Sequence, residues 1–226
     1  IEVPDRMLDD DLLYPVIGDV LGRVAGTEVA ALIGLDARAT EDRLKALGAA
    51  AASSGAVAMF HVVGVTPEAP TLEVASGGSA PGRHVVIGVD ELREARAALG
   101  RGSGRLEAVS VGTPHLSPTE LRYLASLVTG RSSKVPFYVN TSRDVVGRPE
   151  SSEALTALEA FGATIVTDTC TYITPIIGEI EGVVMTNSGK WAFYAPGNLG
   201  VAVAFGGLRA CVASAVTGEV ELGEEW

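Results

Sequence analysis

Short apolar runs alternate with helix-forming segments from residue 106 onward, and this alternation limits the possible folds more than any other feature of the sequence. Apolar runs of this length are typical of buried strands, and the segments between them have the periodicity and end signals of helices. Such alternation predicts an α/β fold, in which a mostly parallel sheet is covered by helices. The predicted strands are residues 106–112, 135–139, 164–166, 182–185 and 201–205, and the predicted helices are residues 117–130, 150–161, 208–217 and a segment from about residue 189.

The first part of the chain carries similar signals less regularly. Thr40 is a typical helix cap, and the acidic residues that follow it favour a helix over residues 40–52. Gly18, Gly22 and Gly26 are spaced either for close helix packing or for a backbone that faces a ligand. Further predicted elements are strands at residues 56–63 and 84–89 and a helix at residues 90–99.

Residues 100–104 contain three glycines and are the most linker-like segment of the chain. We therefore predict a first α/β segment at residues 1–104 and a second α/β domain at residues 105–226. The sequence opens at Ile1 in the middle of a pattern. Our hypothesis is that protein upstream is missing and that residues 1–104 complete a domain begun there.

Composition narrows the classes of partner. The net charge is -11, and the 17 Lys and Arg residues are scattered, so nucleic acid is not an expected partner. No apolar run approaches the roughly 20 residues that a membrane-spanning helix needs, so a membrane is not expected either. The 2 cysteines are too few for a disulfide framework, and the N-terminus lacks a signal segment. These features predict a cytoplasmic location.

Polar residues follow four successive predicted strands of the second half. In parallel sheets, ligands bind at the carboxyl ends of the strands. Arg143 has a planar fork that can hold a carboxylate through two hydrogen bonds, and Lys190 supplies a point charge. The hydroxyls beside them can orient further oxygens, so the pattern predicts a site for a small oxygen-rich anion. The four loops are residues 113–115, 140–143, 167–170 and 186–190.

The same residues have a simpler interpretation, because Ser, Thr and Asn after strands are also ordinary helix caps and turn residues. For a single loop the two interpretations are evenly balanced, and the recurrence over four loops favours a ligand site. A lone histidine is more often structural, which is our interpretation of His84. His61 and His115 lie near predicted strand ends and are candidate site residues.

The two cysteines differ from ordinary buried cysteines in their predicted settings. Cys170 follows polar residues at a strand end, and Cys211 lies at a helix start, where the helix dipole favours a thiolate. Their spacing matches no zinc-finger or CxxC motif. Two thiolates are also fewer than the four that an ordinary iron–sulfur cluster takes, so such a centre would need a ligand from outside this chain.

Nearly the whole chain resembles the aconitase X family, the short relatives of aconitase. Each match is weak alone, and their number and order make the resemblance specific. The matching segments are residues 44–55, 60–69, 114–117, 141–143, 168–170 and 186–190, together with Tyr194.

The resemblance implies an aconitase-like three-layer α/β/α fold with a mostly parallel sheet, and the activity of a hydro-lyase. It also implies that Cys170 and Cys211 hold an iron centre, with a third cysteine outside this chain. The centre is a 2Fe-2S cluster, a 4Fe-4S cluster or a single iron, and some relatives carry Cys where this chain has Thr113. Such iron acts as a Lewis acid on the substrate hydroxyl while a base removes a proton.

The partners that the resemblance implies are the upstream part of the large subunit and a small swivelling domain or subunit that closes over the cleft. In aconitases a serine on that mobile part is the base, so the base can lie outside this chain. The implied substrate is cis-3-hydroxy-L-proline. The alternative, mevalonate 5-phosphate, would need more cations than Arg143 and Lys190. An alternative of another class is a non-catalytic, metal-free binding or scaffold module.

These interpretations give one set of candidate site residues. Ser188 and Lys190 are the candidate catalytic residues, and Cys170 and Cys211 are the candidate iron ligands. The candidate substrate-binding residues are His61, Thr113, His115, Ser142 and Arg143.

Overall fold

The chain forms two units in a computed structural model that describes residues 1–100 and 102–223. The first unit runs from Ile1 to Arg96, and the second begins at Ala97. Residue 101 of the predicted linker lies outside the described residues, as do residues 224–226 of the predicted second domain. The linker residue Gly102 is fixed to the second unit, because its amide donates a hydrogen bond of 2.8 Å to the Val203 oxygen.

The first unit combines helices with a two-stranded parallel sheet. Its second long helix begins as predicted, because the Thr40 hydroxyl accepts a hydrogen bond of 3.4 Å from the Arg43 amide. In chain order the elements are a 3-10 helix (Asp5–Asp9), α1 (Leu13–Ala25), β1 (Ala30–Leu32), α2 (Glu41–Gly55), β2 (Phe60–Val62), α3 (Leu72–Ala75) and α4 (Val89–Leu99), which leads into the second unit.

Glycines allow α1 and α2 to pack closely. A Cβ atom on Gly18 would lie 2.9 Å from the Ala50 Cβ, and one on Gly22 would lie 2.6 Å from the Ala51 oxygen. Side chains at these positions would push the helices apart. Of the two interpretations of the glycine spacing, the structure supports helix packing.

The predicted strand at residues 84–89 is wrong. α4 begins at Val89, and residues 84–87 form no ladder with any described strand. The predicted strand at residues 56–63 is reduced to β2. Both differences have the same physical reason: a strand requires a neighbour to pair with, and β1 offers only three residues of pairing.

The second unit confirms the predicted α/β fold with a parallel sheet. Every predicted strand and helix of this half has a counterpart, and the sheet order is β5-β4-β3-β6-β7 with all neighbours parallel. The elements are β3 (Leu106–Leu116), α5 (Pro118–Val128), β4 (Phe137–Thr141), α6 (Arg143–Val146), a 3-10 helix (Pro149–Ser151), α7 (Ser152–Phe161), β5 (Ala163–Thr167), β6 (Val183–Thr186), α8 (Gly189–Leu199), β7 (Ala202–Phe205) and α9 (Leu208–Thr217).

An apolar cluster between the sheet and helices α5, α7 and α9 forms the core of this unit. Phe137 of β4 and Phe161 of α7 contribute its aromatic contact, with ring centroids 5.3 Å apart in an edge-to-face arrangement. The predicted start of α5 is confirmed. Ser117 caps the helix, Pro118 is its first residue, and Ser117 and Glu120 form a reciprocal capping box. Among the described residues, no helix has both the length and the apolar character to cross a membrane.

Candidate active site

The strand order of the second unit places a topological switch beside its central strand. β4 and β5 lie on one side of β3, and β6 and β7 lie on the other. In open α/β sheets, ligands bind in the crevice at such a switch, outside the carboxyl ends of the strands. The residues after β3 and β6 therefore frame the expected position of a small ligand.

β3 extends past its predicted end at Gly112 and continues to Leu116. Gly112 has a φ of 84°, and a Cβ atom there would lie 2.8 Å from the Leu116 Cγ, so glycine permits the local bend. The pairing register with β4 shifts between Val111 and Leu116, and the Thr113–Pro114 peptide within this stretch is cis. The Thr113 hydroxyl is buried and has no hydrogen-bond partner among the described residues. An unpartnered buried hydroxyl is a candidate to bind a ligand oxygen or a water.

A buried polar network lies behind this end of β3. The side-chain amide of Asn140 donates to the Ser110 hydroxyl at 3.2 Å and to the Val111 backbone oxygen at 2.7 Å. The Thr171 hydroxyl lies 2.7 Å from that of Ser110 and accepts from the Trp191 indole at 2.9 Å. Sequence analysis missed Ser110, Thr171 and Trp191. The available signal was Ser110, a hydroxyl between the apolar residues Val109 and Val111 of a predicted strand.

Ser188 joins the end of β3 to the start of α8. Its hydroxyl accepts from the Trp191 amide at 3.0 Å, which caps α8, and donates to the Thr113 oxygen. Asn187 makes a second link, because its side-chain oxygen accepts from the Gly112 amide at 3.3 Å. Ser188 therefore lies at the switch, and its catalytic role stays a prediction.

The candidate cations lie at the same edge of the sheet. Arg143 pairs through Nε with a carboxylate oxygen of Asp168, and its amide donates to the other oxygen at 3.0 Å. These bonds hold the pKa of Asp168 below its ordinary value. Ser142 caps α6 by accepting from the Val145 amide at 3.2 Å. Lys190, in the first turn of α8, makes no ion pair with any described carboxylate.

The loop after β5 carries Cys170 and contacts the end of β3. His115 Nε2 lies 3.3 Å from the Thr169 oxygen, which fixes the ring against this loop. Cys170 is half-buried. Tyr172, two residues after Cys170, stacks on Tyr194 with ring centroids 5.3 Å apart. Burial, together with the neighbouring Cys170 thiol, raises the pKa of Tyr172.

Cys211 has a different setting from the one we predicted. It is fully buried in the apolar cluster on α9, and its thiol contacts the Gly206 oxygen at 3.5 Å. Burial raises the pKa of this thiol, so desolvation outweighs the helix dipole that we expected to favour a thiolate. Among the described residues no group of three or more His, Cys, Asp or Glu side chains is gathered to hold a metal. Cys170 is the more accessible of the two thiols, and the assignment of both cysteines as iron ligands stays a prediction.

Side-chain contacts join the four strand-end loops into one edge, but two candidate residues, His61 and Cys211, lie elsewhere. His61 is the middle residue of β2 and borders a groove in the first unit. The remaining candidates except Cys211 belong to the strand-end loops of the second unit. The contacts between loops are Thr113–Ser188, His115–Thr169 and Arg143–Asp168.

Comparison with known families assigns both units. Residues 1–97 match the aconitase X second domain, and residues 106–217 match the aconitase X third domain. A solved structure, the holo-form of Thermococcus kodakaraensis aconitase X, superposes with a TM-score of 0.76 at 26% identity. The superposition covers 91% of this chain and 52% of that one.

Curated relatives are considerably longer than this chain. The chain is 43% identical to a cis-3-hydroxy-L-proline dehydratase of Pseudomonas aeruginosa, over 99% of its own length and 40% of the relative. It is 34% identical to a phosphomevalonate dehydratase large subunit of Methanosarcina mazei, over 91% of its own length and 49% of the relative. The chain thus spans half or less of the length of these relatives.

Proposed function

Because the chain belongs to the aconitase X family, we propose that it is part of a hydro-lyase that removes water from cis-3-hydroxy-L-proline. The identity to a dehydratase of that name exceeds the identity to the phosphomevalonate dehydratase subunit, which favours the imino acid as substrate. Since the chain spans only part of each relative, the proposed activity is that of a longer protein or a complex.

The position of Arg143 is the observation that carries the proposal. Its side chain is 84% exposed at the carboxyl edge, and Asp168 engages only its Nε. The terminal nitrogens therefore have no described partner, and they can take a substrate carboxylate through a charge-assisted pair of bonds. Asp168 restricts the rotation of the guanidinium, which reduces the entropy lost when a carboxylate binds.

Two further groups complete the proposed substrate site. Lys190 adds a positive charge at the start of α8, and the buried Thr113 hydroxyl is available for a substrate oxygen. Ser188 holds the Thr113 carbonyl against the first turn of α8, so we assign it the positioning of that hydroxyl in addition to its candidate catalytic role. His115 holds the loop of Cys170 at the same edge. Mevalonate 5-phosphate would need additional cations, and these four loops carry only Arg143 and Lys190.

An iron centre is the cofactor that the family implies. Iron would polarise the substrate hydroxyl and make hydroxide a better leaving group. Cys170 is the thiol that this chain offers at the crevice, while Cys211 is enclosed by apolar side chains. We propose a cytoplasmic location, where thiols such as those of Cys170 and Cys211 stay reduced.

The substrate proposal is tested on the complete natural protein, purified without oxygen and supplied with iron and sulfide. We expect turnover of cis-3-hydroxy-L-proline and none of mevalonate 5-phosphate. The 226-residue chain alone should be inactive, because it offers at most two thiolates for a centre that takes at least three cysteines. Turnover by the chain alone, or of the phosphate ester only, contradicts the proposal.

The ligand assignment is tested by comparing Cys170→Ser with Cys211→Ser in the complete protein. Loss of bound iron in Cys170→Ser is the expected result. If Cys211 is also a ligand, as we predicted, its variant loses iron equally. If Cys211 only fills the core, its variant keeps iron and unfolds at a lower temperature. Full iron content in both variants would remove this chain from the centre.

A further inference from the structure

The first unit contains an apolar groove that is distinct from the site in the second unit. Its volume is about 620 Å³, and its walls include β1, the end of α1, residues 81–85 and Ile87. We call it the β1 groove. Three large apolar side chains that border it are unusually exposed: Val29 is 55%, Ile33 is 45% and Val85 is 43% accessible. Exposed apolar surface of this kind marks a place where further protein binds.

Ile1 and Glu2 bridge the two sides of the β1 groove at one end and so define its width. At the end of β1 the Ile1 amine donates to the Ile33 oxygen at 2.7 Å. On the other side the Glu2 amide donates to the Ile87 oxygen at 2.9 Å, and Glu2 pairs in parallel with Gly88. One extended segment therefore fits between β1 and residues 84–87, hydrogen-bonded to both.

Beyond Ile1 and Glu2, no described strand joins β1 to residues 84–87. Among the described residues, β1 is paired on one side only, with β2, in a sheet of two strands. On the opposite wall the Val85 amide has no acceptor among the described residues. Parallel strands are normally buried within larger sheets, and unpaired backbone groups at an edge favour the addition of a strand.

We propose that the β1 groove takes a β-strand from the part of the longer protein that this chain does not span. The strand runs parallel to β1, because the carboxyl ends of β1 and of residues 84–87 both lie beside Ile1 and Glu2. It links β1 to residues 84–87, so that these residues pair within a sheet of the longer protein. This inference rests on the proposed function in one respect only, that the chain acts within a longer protein.

The lining of the β1 groove indicates the chemistry of the strand. Leu21 and Val24 of α1 line the groove, as does Leu72 of α3. A strand covered by helices is apolar along its whole length rather than alternating. A charged small molecule is a poorer fit, because Arg83 at the rim is already bonded to the Val24 oxygen at 2.6 Å and to Glu28 at 3.4 Å.

Hydrogen exchange of the Val85 amide tests the proposal in the 226-residue chain and in the complete natural protein. In the chain alone the amide is unbonded and should exchange rapidly. In the complete protein we expect exchange slower by about 100-fold or more, as for an amide in a sheet. The Leu47 amide, inside α2, is the control and should change little. Equally rapid exchange of Val85 in the complete protein overturns the proposal.

A matched pair of variants locates the added strand. Val85→Asp puts a carboxylate into the β1 groove, whereas Val86, which is 51% exposed, does not line it. We expect Val85→Asp to abolish the slow exchange of the amide at position 85 in the complete protein and Val86→Asp to leave it. Equal effects of the two variants contradict the assignment of the groove.

The exchange result and the dehydratase assay can fail separately. Rapid exchange at Val85 in a protein that turns over cis-3-hydroxy-L-proline refutes the strand alone. Slow exchange in a protein without that activity supports the strand and refutes the proposed function. The wild-type comparison stands even if Val85→Asp does not fold.

Discussion

The helix pair of the first unit and the carboxyl edge of the second are both tightly packed, but they bury different kinds of group. α1 and α2 approach through glycines, with Gly22 close to the backbone of α2. At the carboxyl edge the buried groups are polar, including Ser110, Asn140 and Thr171, and most of their polar atoms are hydrogen-bonded. Folding alone does not require buried polar groups, since apolar packing stabilises a domain equally well. The comparison therefore supports the proposal that the edge is the functional region.

The helix pair gives the largest expected effect. Gly22→Val forces a side chain against the Ala51 carbonyl and should lower the free energy of unfolding by about 3 kcal/mol. Urea denaturation measures the loss. The control is Gly82→Ala, since Gly82 has open space around its Cα, and it should not destabilise the chain. A stable Gly22→Val variant would mean that the close helix contact does not hold the first unit together.

The polar edge should respond to loss of a partner. Thr171→Val leaves the Trp191 indole without its acceptor and Ser110 without a bond to Thr171, so stability should fall by about 2 kcal/mol. Thr156→Val on the exposed face of α7 is the matched control and should change stability by less than about 0.5 kcal/mol. Thermal unfolding measures both. If the variants behave alike, the network is not a stabilising feature and the contrast between the regions is lost.

The sequence predicted contacts between residues close together in the chain better than contacts between residues far apart. The capping box of Ser117 and Glu120 lies within one helical turn, so local chemistry predicted it. The Ser110–Thr171 bond joins residues 61 positions apart, and no local pattern indicates it. Residues 84–89 have the composition of a strand, but residues 84–87 form no ladder with a described strand and Val89 begins α4, so composition alone gave the wrong element.

The cysteines show a second limit of sequence reasoning. Both follow polar or glycine-rich segments at element ends, and the sequence assigns them similar settings. Tertiary packing separates them, because α9 turns Cys211 toward the sheet while Cys170 stays half-buried in a loop. Cys211 lies near the start of α9, but its side chain projects from the helix into the core. This burial, and not the position near the helix start, sets the direction of its pKa shift, which is upward.

An exchange of one cation for another tests whether the edge is functional. Arg143→Lys replaces a fork with a point charge, so we expect kcat/KM of the complete enzyme to fall about tenfold. Arg148→Lys is the matched control, because Arg148 is also exposed and paired with an aspartate, Asp144. Steady-state kinetics on cis-3-hydroxy-L-proline measures both variants. Equal activity of the two variants removes Arg143 from the substrate site.

The smallest expected effects concern acid stability, and their signs differ between the regions. Burial raises the pKa of Asp19 in α1, so the folded state binds more protons and stability falls as pH rises from 3.8 through the folded pKa. Arg143 lowers the pKa of Asp168, so its stabilisation is present above 3.8 and is lost as pH falls through the folded pKa. Denaturation of Asp19→Asn and Asp168→Asn across this range should show opposite changes of slope. Slopes of the same sign contradict the assignment.

The central position of β3 has a consequence for the order of folding. Bonds from its end reach partners 54 to 75 residues later in the chain, at Thr169, Asn187 and Ser188. Contacts of such long range close large loops and are slow to form. During synthesis β3, β4 and β5 can pair while β6 is still absent, so the crevice is completed only after most of the unit has been made. We therefore expect a nascent chain to form the crevice only after β6 has been made.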